Sequence, residues 1–236
     1  CVFEYIYFAR PDSLISGKCA YEYRKNLGSE LAKETDLNAD FVVPVPDSGV
    51  PAALGYAEQS KKLFELGLIR NHYVGRTFIE PTQNIRSLGV KLKLSSTKTI
   101  VENKSIILID DSLVRGTTCH KIVQMLYENG AKEVHVRIAC PEIKYPDFYG
   151  VDMPSEKELL AYKKDIREMT EYINAKTLKF LSLEGLYKAL TGSKRNDNYP
   201  QFSDHYFTGD YPIEPADNLK GLKVKQLSLL SGKSSS

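Results

Sequence analysis

Two adjacent carboxylates, Asp110 and Asp111, close the apolar run of "SIILIDDSLVRGTTCHKIVQML". Ionised carboxylates only accept hydrogen bonds, so such a pair suits two vicinal hydroxyls, as on a ribose, or a divalent cation. The residues that follow, Ser112, Leu113, Val114, Arg115, Gly116, Thr117 and Thr118, offer backbone N–H groups, hydroxyls and a guanidinium, and then open a helical pattern. Helix N-termini favour phosphate through their free amides and the macrodipole. Carboxylates for hydroxyls beside a cradle for phosphate describe one ligand, a ribose 5-phosphate. A plain turn with Thr117 or Thr118 as N-cap is the structural alternative for either half. Apolar strand, Asp-Asp, Arg-Gly-Thr-Thr and helix in that order favour the ligand site.

A second loop with the same character is "VPDSG", where Ser48 follows a short apolar run. A third stretch, "GRTFIEPTQNIRSLGVKLKLSS" from Gly75 to Ser96, is polar and basic and has no sustained periodicity. A structureless excursion of that length is usually functional or disordered. Its cations Arg76, Arg86, Lys91 and Lys93 suit a lid that closes over an anion.

These loops need a frame that brings them together. "DFVVPV", "SIILID" and "EVHVRIAC" are short apolar runs, and "SGKCAYEYRKNLGSELAKETD", "VPAALGYAEQSKKLFELG" and "TTCHKIVQMLYENG" carry apolar residues at three- and four-residue spacings. Alternating strands and helices of these lengths predict a mainly parallel sheet with helices on its faces. In such sheets ligands bind beyond the carboxyl ends of the strands, where both Asp110–Asp111 and Ser48 fall. "VFEYIYF", rich in aromatic and β-branched residues, reads as a further strand, and so does "LIRNHYV". The helix that starts near Val50 is expected to run to Gly67. Beyond Pro141, "EKELLAYKKDIREMTEYI" and "LEGLYKAL" read as helical additions with "TLKFLSL" as a strand between them, and the polar stretch after Gly192 as a loosely structured tail. The expected division is a domain over residues 1–192 and an extension over 193–236.

Composition narrows the classes. The chain has 236 residues, 42% hydrophobic and 26% charged, with a net charge of +2. Its spread lysines give no nucleic-acid footprint, and no apolar run approaches the roughly 20 residues that span a bilayer. The four cysteines, Cys1, Cys19, Cys119 and Cys140, form no CxxC, which points to reduced thiols in a cytoplasmic protein. The opening at Cys1, without methionine, reads as the interior of a longer chain.

"ILIDDSLVRGTT" resembles the phosphoribosyl-pyrophosphate (PRPP) motif of the type I phosphoribosyltransferases. Within that superfamily, "EYIYFARPDS", "VPVPDSGVPAALGYA", "NHYVGRTFIEPTQNIRSLGVKLKL" and "FYGVDMPSEKELLA" resemble the amidophosphoribosyltransferases, over Cys1 to about Leu190. The resemblance implies the type I phosphoribosyltransferase fold with a flexible catalytic loop and a helical C-terminal extension. It also implies displacement of pyrophosphate from PRPP by ammonia, the first committed step of purine biosynthesis. Asp110 and Asp111 would then bind ribose hydroxyls and Mg²⁺, and Ser112 to Thr118 the 5-phosphate. Pro46, Asp47 and Ser48 would contact PRPP, with Ser48 also at a Mg²⁺. Tyr73, Arg76 and Lys93 would act on the leaving group from the lid. Purine nucleotides as feedback inhibitors and a homo-oligomer are further implications.

Two departures from the family stand out. Its members carry an N-terminal glutaminase domain with a cysteine nucleophile, but the residues after Cys1 match the start of the transferase domain, so ammonia is expected to come from elsewhere. Some members hold a [4Fe–4S] cluster through four cysteines. Cys1 matches one of these positions, and Asp147, Ser203 and Tyr206 stand at the others, so no cluster is expected. The rival readings are a nucleobase phosphoribosyltransferase, for which no base-binding hood is evident, and a PRPP-sensing regulator, for which no DNA-binding segment is visible.

Overall fold

The computed structural model describes residues 1–35, 37–71, 94–151 and 155–213. Strands β1 (Leu14–Ile15) and β2 (Lys18–Cys19) form a small hairpin leading into helix α1 (Ala20–Glu34). Then follow β3 (Phe41–Pro44), α2 (Val50–Ser60), β4 (Leu63–Phe64), β5 (Leu68–Arg70), β6 (Leu94–Ser96) and the short α3 (Lys98–Val101). The second half runs through β7 (Ser105–Asp110), α4 (Thr117–Glu128), β8 (Glu133–Ile138), α5 (Leu160–Lys163) and α6 (Ile166–Tyr172). It closes with β9 (Thr177–Phe180), α7 (Leu183–Thr191) and α8 (His205–Thr208).

Five strands form one parallel sheet in the order β4-β3-β7-β8-β9. Its centre is apolar on both faces: Val42, Val43, Ile106 to Ile109, Val134, Val136 and Ile138 are fully buried. That continuous burial is why these strands read as unbroken apolar runs rather than alternating ones. Helices α1, α2 and α7 pack as a group, and α1 and α2 approach unusually closely. A Cβ on Gly28 would lie 1.8 Å from the Ala52 carbonyl oxygen, and one on Gly55 would lie 1.9 Å from that of Lys25. Gly28→Ala must therefore push α2 away from α1, at a cost of about 1–3 kcal/mol or more. Urea unfolding should show this as a lower midpoint; an unchanged midpoint would mean that the helices can separate freely.

Two sequence expectations change. "VFEYIYF" is not a strand: Glu4–Phe8 forms a π-helical turn. Its aromatic content favoured β structure, but Val2, Phe3 and Ile6 are the residues it buries, a helical spacing. The helix after Val50 stops at Ser60 rather than Gly67, because Lys61 turns left-handed (φ 55°) and Leu63–Phe64 joins the sheet edge beside β3. Of "LIRNHYV", Leu68–Arg70 is a strand that pairs antiparallel with Leu94–Ser96, and residues 72–74 lie outside the described residues.

Residues 193–213 are more firmly packed than their polar composition suggested. Arg195, 10% exposed, binds Asp197, Asp204 and Asp210, and buried Asp204 also accepts from Tyr187 Oη. The Tyr206 ring meets Phe3 edge-on at 4.7 Å, which ties this stretch to the N-terminal turn. Among the described residues no helix is long and apolar enough to cross a membrane.

Candidate active site

Register places the two loops side by side. Pro44 pairs with Ile109, and the Val45 N–H continues the ladder to the Ile109 carbonyl at 2.8 Å. On the other flank the Ala139 N–H donates to the Asp110 carbonyl at 2.9 Å. The chain then turns through a cis Pro46–Asp47 peptide to Gly49, where a Cβ would lie 2.5 Å from the Ile109 carbonyl oxygen. That close approach brings Ser48 to the carboxylates. Beyond the strand ends lies a cleft of about 500 Å³, lined by Pro46, Ser48 and every residue from Asp110 to Thr118, with Phe3, Tyr7, Phe8, Leu94 and Val151 around them.

The carboxylates are held in place and under electrostatic tension. The Asp111 N–H donates to Asp110 Oδ1 at 2.9 Å, and Ser112 Oγ donates to Asp111 Oδ1 at 2.6 Å. Asp111 Oδ2 is buried and has no hydrogen-bond partner among the described residues. Burial, and then the charge of Asp111, hold the Asp110 carboxyl well above the usual range. Burial also raises Asp111, opposed by the hydroxyls of Ser112 and Ser48 and by the Arg24 guanidinium. Cys119, in the cleft wall, is pushed up by burial and by Asp110, so it stays a thiol.

The phosphate-loop candidates meet the same cleft. Gly116 is left-handed (φ 75°) and is the residue before α4. Among the described residues none accepts a hydrogen bond from the backbone N–H of Arg115, Gly116, Thr117 or Thr118. Unpaired N–H groups at a helix start form an anion-binding concavity. The Arg115 side chain points away, to Glu158 at 2.9 Å.

Of the residues singled out from sequence, Pro46, Ser48 and Asp110 to Thr118 share the cleft. Asp47 sits on its outer rim, where it pairs with Arg70 of β5 at 2.6 Å. Tyr73, Arg76 and Lys93 lie outside the described residues. Sequence reading missed Arg24. It is 5% exposed and donates to the carbonyls of Tyr5, Glu4 and Ala9, holding the N-terminal turn against the cleft while its charge acts on Asp111. The available signal was a cation on the same face of α1 as Ala20, Leu27 and Leu31, since buried charges are rarely incidental.

The phosphoribosyl transferase domain, as a family pattern, matches residues 21–170. The chain belongs to that family. As a phosphoribosyl transferase domain it carries the type I fold, with the parallel sheet and flanking helices described above. It is 57% identical over 98% of its length to the amidophosphoribosyltransferase of Rhizobium etli, of which it spans 47%. It is 50% identical over 96% of its length to the chloroplastic amidophosphoribosyltransferase 2 of Arabidopsis thaliana, of which it spans 39%. Among solved structures, the glutamine PRPP amidotransferase of B. subtilis, complexed with ADP and GMP, superposes with a TM-score of 0.81. It is 50% identical, over 90% of this chain and 46% of that one. The chain thus spans about half the length of these relatives, or less.

The four positions compared with cluster cysteines converge in space. Cys1 Sγ is 3.4 Å from Tyr206 Oη, which donates to Asp147 Oδ1 at 2.9 Å. His205 bridges Asp147 (2.9 Å) and Ser203 (3.1 Å). A thiol, a carboxyl, a phenol and a hydroxyl bonded to one another do not fit a cluster that needs four thiolates.

Proposed function

We propose that the chain transfers the phosphoribosyl group of PRPP to ammonia, releasing pyrophosphate and forming 5-phosphoribosylamine, the first committed step of purine biosynthesis. The observation that carries this reading is the orphaned, buried Oδ2 of Asp111 in a carboxylate pair facing a loop of unpaired N–H groups. The relatives named amidophosphoribosyltransferase support the choice of acceptor.

Asp110 and Asp111 accept from the ribose 2- and 3-hydroxyls, and the loop from Arg115 to Thr118 holds the 5-phosphate. The same carboxylates, with the Ser48 hydroxyl, suit a Mg²⁺. Among the described residues no group of three or more His, Cys, Asp or Glu forms a closed metal site. Two adjacent carboxylates and a hydroxyl suit an ion held by one or two carboxylates and completed by substrate oxygens. When bound, Mg²⁺ neutralises charge that grows on the departing pyrophosphate. Tyr73, Arg76 and Lys93 are the lid residues proposed to add to that neutralisation and to exclude water.

The donor set at Cys1, Asp147, Ser203 and Tyr206 supports a chain without an iron–sulfur cluster. The remaining proposals are a cytoplasmic homo-oligomer, a transferase unit over residues 1–192 with an extension over 193–236, and ammonia supplied by a glutaminase domain or chain. Purine nucleotides are proposed as inhibitors, supported by the ADP and GMP of the B. subtilis structure.

The test is pyrophosphate release by the purified chain with PRPP and Mg²⁺. Ammonium at alkaline pH is expected to support turnover and glutamine is not. Cys1→Ala is expected to keep the ammonium activity. Turnover only with a nucleobase would identify a salvage enzyme, and PRPP binding without turnover would identify a regulator.

A further inference from the structure

The helical additions after Pro141 have no role in the reading so far, yet they touch the phosphate loop at four successive places. Arg115 Nε and Nη2 both meet Glu158 Oε2 at 2.9 Å. The Leu160 N–H donates to the Val114 carbonyl at 2.8 Å. A Cβ on Gly116 would lie 2.7 Å from Leu160 Cδ2 and 3.0 Å from the Tyr172 ring, so only glycine lets the loop seat this deeply. His120, in the first turn of α4, places Nδ1 2.9 Å from the Tyr172 carbonyl.

We propose that Glu158 is a positioning residue for the 5-phosphate loop, acting through Arg115, and that residues 156–172 are the brace on which that loop is set. The proposal rests on the phosphate-loop reading above and adds to it the element that orients the loop. In a planar trans peptide the C=O and the next N–H point in opposite directions. With the Val114 carbonyl turned to Leu160, the Arg115 N–H is therefore turned away from the brace, to the side on which the cleft lies. Glu158 holds the same residue by its side chain, which fixes the guanidinium and stops the peptide plane from rotating. Anion binding by main-chain N–H groups depends on such pre-set orientation, because each plane that must be ordered on binding costs affinity. Glu158 is itself set by Ser155 Oγ, 3.4 Å from its Oε1.

The ion pair is half exposed, so its effect is modest in size, and its selectivity is what identifies it. Calorimetry with two probes on the full chain reads this out: ribose 5-phosphate, which uses the loop, and Mg²⁺-pyrophosphate, which does not. Glu158→Gln is expected to weaken ribose 5-phosphate about three- to fivefold and pyrophosphate by less than twofold, with Tm unchanged. In turnover the KM for PRPP rises with kcat nearly constant. Arg115→Gln is expected to give the same loss, and the double variant no more than either single one, as for two residues acting through one contact. Glu158→Asp restores part of the affinity.

Equal weakening of both probes, or additive losses in the double variant, would overturn the positioning role and leave the phosphate-loop reading in place. Absence of ribose 5-phosphate binding by the unaltered chain would instead remove the loop reading itself, and the positioning role with it.

Discussion

Asp111→Asn is expected to weaken PRPP binding at least tenfold while leaving Tm unchanged or raised. The two halves of that expectation have separate causes. For folding, Asp111 is a liability: burial raises its pKa, its charge raises that of Asp110, and its Oδ2 has no partner among the described residues. Asparagine keeps an oxygen that can accept from Ser112 and removes the like-charge repulsion, so folding loses nothing. Binding loses a charge-assisted contact to a ribose hydroxyl or a cation, worth about 1.5–3 kcal/mol, which corresponds to roughly ten- to a hundredfold. Calorimetric titration with PRPP and Mg²⁺, beside a thermal melt of both proteins, checks the two halves together. Unchanged affinity would remove Asp111 from the site, and a large drop in Tm would make it a structural residue.

The positions of such residues were legible in the sequence wherever one strand and one loop carried the whole signal. "SIILIDD" announces a strand buried on both faces and its carboxyl end at once, and the structure ends β7 at Asp110. The register that sets "VPDSG" beside it was not written in either segment, but parallel topology forces it once β3 and β7 are neighbours. Local propensity failed where tertiary contacts outweighed it. "VFEYIYF" is helical because Val2, Phe3 and Ile6 find a core, and because Arg24 accepts the burden of its free carbonyls from α1. The brace under the phosphate loop was equally hidden. Its contacts join residues 114–120 to 158–172, and no periodicity in either stretch announces the other.

The cluster of Asp147, Ser203, His205 and Tyr206 is the most distributed of these, and it yields a pH-dependent result. The Asp147 side chain is 1% exposed, and its Oδ1 accepts from His205 and Tyr206 while its Oδ2 accepts from the N–H groups of Tyr149 and Val151, each at 2.8 Å. Burial alone would raise its pKa, but the two backbone N–H groups, Tyr206 and His205 outweigh burial and hold it below the ordinary 3.8. Burial holds His205 below 6.5, against the pull of Asp147 and Asp204, so the neutral ring is the folded form. It is packed against Tyr149, Tyr206 and Tyr211, with Ser203 on its other nitrogen. The signs follow from proton uptake on unfolding. His205 gains a proton more readily when unfolded, so its contribution is present above 6.5 and declines as pH falls from there towards its folded pKa. Asp147 contributes above 3.8 and is lost as pH falls through its lower folded value. Acid should therefore lower Tm in two stages, the first beginning near pH 6.5. His205→Gln should flatten the first stage. Asp147→Ala, which removes the acceptor of four donors, two of them on the buried His205 and Tyr206, should cost about 3 kcal/mol or more at pH 7. Iron chelators and air should leave the melt unchanged, since hydrogen bonds rather than thiolate–iron bonds tie residues 203–206 to Cys1 and Asp147. A melt that is flat from pH 7 to 4, or one that collapses on chelation, would show that something other than this network holds the segment.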